Sequence, residues 1–368
     1  MPTMPVDFLP GAELSRRLYH DAVRPLLSQH FPGLVHTAAL IGAGSEVLGF
    51  DTQRSTDHDW GARLLLFLAA DDLALHGSSI DDMLGERMPT TIAGYPTSLV
   101  PIDDRGTRHL RHTTGRVRHG VVVAELGDWL TGRLGFDPLT GVTRQDWLAT
   151  PTQALAEVTN GVVHHDGSGM LHAARRALGW YPDDVWRYVL ACQWQRISQE
   201  EAFVGRCGEV GDELGSAVVA ARLVRDLMRL CLLIARTYPP YSKWLGSAFA
   251  RLPVAGRLSP ALTAAMIAGT WQERERHLVI AYETVANLHN DLALSAPVDP
   301  SVRFFHDRPF RVLHAERFSA ALMSSIQDPA LRALPCTGAI DQFVDSTDAL
   351  ADRSRARALA AALYSPDR

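Results

Sequence analysis

The sequence has few cysteines, no long apolar run and no excess of positive charge among its 368 residues. The four cysteines are far apart in the sequence and show no CxxC spacing, which argues against structural zinc and predicts reduced core thiols: Cys192, Cys207, Cys231 and Cys336. The most apolar helical segment, residues 217–234, is interrupted by charged residues, so we predict no membrane span. The N-terminus lacks a basic head followed by an apolar stretch, so we expect no signal peptide and a cytoplasmic location.

The overall charge and composition exclude further classes of protein. A net charge of −5 and a pI near 6.3 argue against a protein that coats nucleic acid non-specifically, although they do not exclude a local basic groove. With 46% apolar and 21% charged residues, the chain has the composition of an ordinary globular protein. Its length exceeds one average core, so we expect two domains.

The hydrophobic pattern changes character near residue 150. Before it, residues 11–29 have helical spacing, and strands are predicted within VHTAALIGAGS (35–45), RLLLFLAA (63–70), 90–101 and 119–126. After Pro151, strand signals nearly vanish and helices are predicted at 151–160, 168–179, 183–204, 209–238, 241–251, 259–293, 315–325 and 348–363. We therefore predict an α+β fold, with a small mixed-sheet domain over residues 1–150 and an all-helical domain over 151–368.

Polar residues concentrate between the first two predicted strands. If Asp57 and Asp59 lie on a strand, their carboxylates share one face, and two like charges so close favour a bound cation. Oxygen ligands beside phosphates suit magnesium. Gly42 and Gly44 would let the backbone approach a phosphate, and a helix opening after Ser45 would favour an anion.

Gly44-Ser45 followed by Asp57-His58-Asp59 resembles the signature of the DNA polymerase β-like nucleotidyltransferase superfamily. More narrowly, SxDHDWGxR at 55–63 is similar to an uncharacterised bacterial family of these proteins. YPDDVW (181–186), QWQRISQEEAFVGRCGEVGDELGS (193–216) and YPPYSKWLG (238–246) are similar to the same family, so the resemblance spans most of residues 40–250. That narrow family brings no assigned reaction.

The superfamily resemblance implies a nucleoside triphosphate, expected to be ATP, lying across Gly44 and Ser45. It also implies two magnesium ions held by three carboxylates, of which Asp57 and Asp59 are the first two. Two metal ions would stabilise the attacking and leaving oxygens of an in-line displacement at the α-phosphorus. A nucleoside monophosphate would then join an acceptor hydroxyl, and pyrophosphate would leave.

The sequence leaves more than one candidate for the third carboxylate. Glu125 is the only acid in the strand predicted at 119–126, and it is our first choice as metal ligand and catalytic base. Asp103 and Asp104 are the competitors, although PIDDRG is typical of a turn. The narrow family has an acid nearer the middle of this strand, where this sequence has Val122. Without a third acid, the chain would bind nucleotide without transferring it.

Several other polar residues allow two interpretations each. By strand parity Arg63 shares the acid face and could reach phosphates, whereas His58 would pack in the core. Lys243 could contact the triphosphate and Tyr241 could stack on a base, as in helical domains of related nucleotidyltransferases; alternatively, they are a helix start beside core aromatics. His164-His165-Asp166 is typical of a surface turn rather than a metal site.

Two basic segments are also open to interpretation. The Arg- and His-rich residues 105–119 form either a solvated insertion or an electropositive flap for phosphates. The charged stripe within 222–229 forms either an internal salt-bridge network or a wall facing the acceptor.

The leading hypothesis is a magnesium-dependent nucleotidyltransferase whose helical domain binds the acceptor. A small hydroxylated acceptor is favoured over a protein side chain or an RNA end. Long nucleic acid is the least favoured acceptor, because the chain is acidic overall. The second hypothesis is a nucleotide-binding regulatory or antitoxin-like protein of the same fold that has lost a carboxylate. The third is an interaction scaffold whose helical half docks a partner.

Overall fold

A computed structural model describes residues 8–102 and 107–364 of the chain. The chain divides into two compact units. The first consists of the described part of Met1–Val142 together with Ala154–Gly179, and the second consists of Thr143–Gln153 with the described part of Trp180–Arg368. The predicted α+β fold is confirmed, with a small mixed sheet in the N-terminal part and a helical C-terminal region.

The first unit is built around a four-stranded mixed sheet in the order β7 (Gly120–Glu125), β2 (Arg63–Leu68), β1 (Thr37–Leu40) and β8 (Val162–Asp166). Strand β1 is antiparallel to β2 and β8, whereas β2 is parallel to β7. The remaining short strands form two hairpins, β3–β4 and β5–β6. The strands are β1 (Thr37–Leu40), β2 (Arg63–Leu68), β3 (Thr91–Ile92), β4 (Tyr95–Pro96), β5 (Ser98–Pro101), β6 (Arg108–Arg111), β7 (Gly120–Glu125) and β8 (Val162–Asp166).

Helices pack around this sheet and supply much of its core. The predicted N-terminal helix is present as α1 and α2, with the π-helical turn Leu18–Val23 between them. Leu64 and Leu66 alternate inward along β2 and join Leu14 and Leu18 in one buried cluster. The helices up to residue 179 are α1 (Gly11–Arg17), α2 (Arg24–His30), α3 (Ala70–Arg87), α4 (Leu126–Leu134), α5 (Arg144–Ala149), α6 (Thr152–Thr159) and α7 (Met170–Ala177), of which α5 belongs to the second unit.

Strand β8 was not predicted. The segment His164-His165-Asp166, expected to be a surface turn, is instead the strand that pairs with β1. Two of its polar side chains have partners that are distant in sequence. The Nε2 of His164 lies 3.0 Å from the Ser15 hydroxyl, and Asp166 accepts a 2.7 Å hydrogen bond from the Thr37 hydroxyl. Residues after Pro151 therefore complete the sheet of the first unit.

Up to residue 364 the second unit is helical apart from one short hairpin of β9 (Arg303–Phe304) and β10 (Arg311–Val312). Its core includes Trp194 stacked on Phe318 at 4.6 Å between ring centroids, and the Trp194 indole donates to His289. The elements are α8 (Asp183–Glu200), α9 (Phe203–Glu209), α10 (Glu213–Ile234), α11 (Ser242–Ala250), α12 (Ala255–Ile267), α13 (Trp271–Asp291), β9 (Arg303–Phe304), β10 (Arg311–Val312), α14 (Glu316–Ser325), α15 (Pro329–Arg332), α16 (Ile340–Phe343), α17 (Thr347–Ala351) and α18 (Arg353–Tyr364).

None of the helices in the described part of the chain is long and apolar enough to cross a membrane.

Candidate functional site

The glycine turn, residues 41–45, follows β1 as the sequence predicts. Gly42 and Gly44 have φ values of +92° and +143°, in the region that favours glycine. The Gly42 N–H donates a 2.8 Å hydrogen bond to the Glu157 carbonyl, which fixes the turn to α6. Ser45 is half-buried at the end of the turn. The helix expected after Ser45 is absent, because residues 45–49 continue as turns.

The acid segment, residues 57–59, is not a strand. Asp57 ends the 3₁₀ helix Gln53–Asp57, His58 is extended, and Asp59 is left-handed with φ +50°. The expectation that strand alternation places both carboxylates on one face is therefore wrong. Two local features break the extended backbone. The 3₁₀ helix, where the Ser55 hydroxyl accepts the Thr52 N–H at 3.1 Å, runs through Asp57, and Asp59 itself is left-handed.

Both acids of this segment remain exposed to solvent. An Asp57 carboxylate oxygen lies 2.9 Å from Nδ1 of His58, and both side chains are more than half exposed. His58 is thus not the core residue that parity predicted. Asp59 accepts a 3.1 Å hydrogen bond from the Arg108 backbone N–H. The Asp59 carboxylate is therefore held by the backbone of β6, and both acids stay open to solvent.

Arg63 joins the glycine turn to the acid segment. Its guanidinium donates to the Ala43 carbonyl at 2.6 Å and to the Asp59 carbonyl at 3.0 Å. It also lies 2.8 Å from the carboxylate of Glu46. The Arg63 side chain is only 18% exposed, so its donors are committed to protein acceptors rather than turned to solvent. Its role in this geometry is to position the two loops.

Glu46 is a residue of the site that the sequence reasoning did not select. Its side chain is 1% exposed, and burial raises its pKa while the Arg63 charge opposes that shift. A Cβ at Gly44 would come within 2.7 Å of the Glu46 carboxylate and 2.8 Å of the Arg63 guanidinium. Gly44 is therefore required for this ion pair to pack beneath the turn. The sequence signal for Glu46 is that an acid follows Gly44-Ser45 directly. The sequence does not show that this acid is buried.

The β5–β6 hairpin places the Arg- and His-rich segment against the acids. Asp59 donates its N–H to the Arg108 carbonyl at 2.7 Å, and Nδ1 of His109 lies 3.0 Å from the Asp57 carbonyl. Leu110 packs on Gly61, where a Cβ would approach it to 2.6 Å. The side chains of Arg108 and His109 are exposed. Part of the segment predicted as a loop is thus a strand that supports the acid segment.

Glu125 is not brought to the acid pair. In the parallel register of β2 and β7, Gly120 pairs with Arg63 and Glu125 pairs with Leu68. Five residues at about 3.3 Å each separate these levels by about 16 Å. Parity also puts Glu125 on the sheet face opposite to Arg63. Its carboxylate instead caps α4 by accepting the Asp128 N–H at 2.6 Å.

On the sheet face that carries Arg63, the neighbouring strand offers an apolar side chain. Val122 pairs with Leu65 and is 46% exposed. The competing acids Asp103 and Asp104 lie outside the described residues. Among residues 8–102 and 107–364, no three His, Cys, Asp or Glu side chains form a group that could hold a metal ion.

Tyr241 and Lys243 belong to the second unit, where they begin α11. Tyr241 is half-buried and donates its N–H to the Gln153 side chain at 3.2 Å. Lys243 is exposed, and its Nζ lies 4.8 Å from the centre of the Trp244 ring. It is also the only lysine in the chain.

The charged stripe of α10 forms an internal network. Arg222 pairs with Glu200 at 2.9 Å, and Arg225 pairs with Asp345 at 3.2 Å. Arg229 donates to the Asp341 carbonyl at 2.6 Å. These contacts confirm the salt-bridge interpretation of the stripe.

The polar motif of residues 193–216 is largely absorbed by packing in the same unit. Glu201 accepts the backbone N–H groups of Leu313 and Ala315 at 2.7 and 2.9 Å. A Cβ on Gly205 or Gly208 would collide with an aromatic ring, since Phe310 and Trp271 pack directly on these positions. The motif therefore specifies the helical architecture.

Comparison with known protein families gives a match to part of the chain. The family described as a domain of unknown function, DUF4037, matches residues 147–245, which run from α5 to α11. This agrees with the uncharacterised family suggested by the motifs at 181–186, 193–216 and 238–246. No curated protein and no solved structure matches the chain significantly.

Proposed function

We propose that the first unit binds a magnesium–nucleoside triphosphate at the glycine turn and that the chain transfers the nucleoside monophosphate to a hydroxyl acceptor. The observation that carries this proposal is the Arg63 bridge. One guanidinium contacts both the Ala43 and Asp59 carbonyls, so the turn and the acid segment lie within its span. ATP is the expected triphosphate, and a small hydroxylated molecule is the expected acceptor.

The donor set fits one magnesium ion held together with phosphates. Magnesium in nucleotide sites is commonly held by one or two carboxylates, with phosphate oxygens and water completing the coordination. Asp57 and Asp59 would supply those carboxylates, and the ion would neutralise phosphate charge. A second ion needs a third carboxylate, which the described residues do not place beside these two.

The other residues of this site would orient the nucleotide. Gly42 and Gly44 leave two positions of the turn without side chains, and Ser45 offers a half-buried hydroxyl. Arg63 would hold the turn and the acids in one geometry, so that little rearrangement is needed on binding. Arg108 is exposed beside Asp59 and would supply positive charge to the triphosphate.

A second candidate function is nucleotide binding without transfer. It is favoured by Val122, which occupies the open sheet face where the resembling family has an acid, and by the distance of Glu125 from the acid segment. Such a protein would use the same site to report nucleotide levels to a partner.

One experiment separates these candidates. The protein is incubated with each α-labelled nucleoside triphosphate in magnesium or EDTA, while binding, pyrophosphate release and label transfer are measured. Transfer requires magnesium-dependent binding together with pyrophosphate release, whereas a regulator binds without release. We expect Asp57→Asn and Asp59→Asn to weaken magnesium-dependent binding at least tenfold, whereas Asp71→Asn, at an exposed acid of α3, leaves it unchanged. Equal binding by all four proteins would refute the site.

A further inference from the structure

The second unit contains two cysteines that are distant in sequence and adjacent in space. The Sγ atoms of Cys192 and Cys336 lie 3.6 Å apart. Cys192 is fully buried on α8, whereas Cys336 is partly exposed in the segment between α15 and α16. Unlike an isolated core thiol, each of these sulfurs has a second sulfur within reach.

Contacts with neighbouring residues hold the two sulfur atoms close together. Tyr188 lies one helical turn before Cys192 on α8, and its hydroxyl donates a 2.6 Å hydrogen bond to the Pro335 carbonyl. The same helix face therefore anchors the residue next to Cys336. From the other side, the buried Ser319 hydroxyl of α14 lies 3.4 Å from the Cys336 sulfur.

These contacts also favour the thiolate of Cys336. The Cys192 thiol hydrogen bond lowers the pKa of Cys336 to about 7, with the Ser319 hydroxyl acting in the same direction and burial opposing it. Burial raises the pKa of Cys192 well above its ordinary range. Cys336 is thus the nucleophile of the pair, and Cys192 is the proton donor.

We propose that Cys192 and Cys336 form a reversible disulfide when the protein meets a peroxide, and that this bond fastens residues 335–338 to α8. The Cys336 thiolate attacks one peroxide oxygen, the O–O bond breaks, and hydroxide leaves, giving a sulfenic acid. The Cys192 sulfur then attacks the Cys336 sulfur, and the S–O bond breaks. The Cys192 proton leaves with that oxygen as water. The two thiols lose two electrons, and hydrogen peroxide is reduced to two waters once the hydroxide is protonated.

The movement that the reaction requires is small. A disulfide has an S–S distance of about 2.05 Å, so the sulfurs must approach by about 1.5 Å. Cys336 lies outside regular helix and can supply this shift, while Cys192 stays fixed in α8. Dithiols such as dithiothreitol would restore the pair.

The test uses the full chain, reduced, desalted and exposed to one equivalent of hydrogen peroxide before alkylation and non-reducing peptide mapping. We expect a linked Cys192–Cys336 peptide pair, lost on reduction, and alkylated Cys207 and Cys231. Cys207 is also partly exposed and serves as the internal comparison. Cys336 should react about tenfold faster than Cys207, because its lowered pKa of about 7 increases its share of thiolate near neutral pH, less an allowance for the weaker nucleophilicity of that thiolate.

A matched variant traps the intermediate. In Cys192→Ser the sulfenic acid on Cys336 should persist and react with dimedone, while Cys207→Ser should still form the linked pair. Hydrogen exchange of residues 335–344 should slow about tenfold in the oxidised wild-type protein. The proposal is overturned if Cys336 reacts no faster than Cys207, if oxidation links other cysteines, or if the linked protein shows unchanged exchange. Mapping of the wild-type chain decides the point even if the variants fold poorly.

Discussion

Replacing Arg63 by Met should destabilise the first unit far more than the loss of an ordinary surface ion pair. Glu46 would be left as a charge with 1% side-chain exposure and without its cationic partner. Removing one partner of a buried pair costs about 3–5 kcal/mol. We expect about 4 kcal/mol for Arg63→Met, of which about 2 kcal/mol comes from the lost hydrogen bonds to the Ala43 and Asp59 carbonyls.

The remaining part of this loss should depend on the charge of Glu46. In a Glu46→Gln background the buried group is neutral, so Arg63→Met should cost only about 2 kcal/mol. The double-mutant cycle therefore predicts a coupling of about 2 kcal/mol between the two side chains. Arg16→Ala is the control, because its pair with Glu13 is largely exposed and screened by solvent, so its loss should change stability little.

The measurement must resolve the first unit, since a chain of two units need not unfold in one step. Hydrogen exchange followed by mass spectrometry, read from peptides that cover residues 37–48 and 63–68, gives the local free energy of opening. A coupling below about 0.5 kcal/mol, or an Arg63→Met loss no greater than that of Arg16→Ala, would show that Glu46 does not depend on Arg63.

Three further predictions concern single groups. A periodate-oxidised ATP analogue reacts with lysine amines, so Lys243 is the only side chain that it can label. If Lys243 contacts the nucleotide, excess magnesium-ATP should suppress this labelling. Labelling that ATP leaves unchanged would remove Lys243 and Tyr241 from the site. Burial raises the pKa of Glu201 to about 7, so its contribution to stability should fall by about 3 kcal/mol as pH rises from about 4.5 to 7. The difference in urea-unfolding free energy between wild type and Glu201→Gln should show this pH dependence. Both proteins contain His289, so its pH dependence cancels in the difference. Burial lowers the pKa of His164 to about 4, so this side chain alone should cost the first unit about 2 kcal/mol, after allowance for its partial exposure, as pH falls from 6.5 to 4. His164→Gln should remove that part of the loss in hydrogen exchange.

The strands that the sequence predicted correctly are those whose local pattern agrees with their environment. The continuous apolar run of β2 is mostly buried, and the glycines after β1 adopt the positive φ angles that their residue type permits. Strand β8 escaped prediction because His164 and Asp166 are polar. Their partners Ser15 and Thr37 lie more than a hundred residues away, so no local pattern reveals them.

The acid segment shows a different limit of sequence reasoning. Alternation places Asp57 and Asp59 together only if the backbone is extended, whereas here a 3₁₀ helix ends at Asp57 and Asp59 is left-handed. Glu125 was selected as the only acid of its strand. Strand order and register, which pair it with Leu68, arise from long-range packing that the residue pattern does not encode. The buried Glu46 was overlooked for the same reason.

The pairing of β8 with β1 determines which fragments of the chain contain the complete sheet. A fragment that ends at residue 150 would lack β8, and one edge of β1 would present unpaired N–H and C=O groups beside four otherwise buried side chains. Exposed apolar edges of this kind recruit other chains and lead to aggregation. A fragment that continues through Gly179 keeps all four strands and the α7 residues that hold Asp166. A fragment with the complete sheet must therefore include residues 154–179, which follow residues 143–153 of the second unit in the sequence.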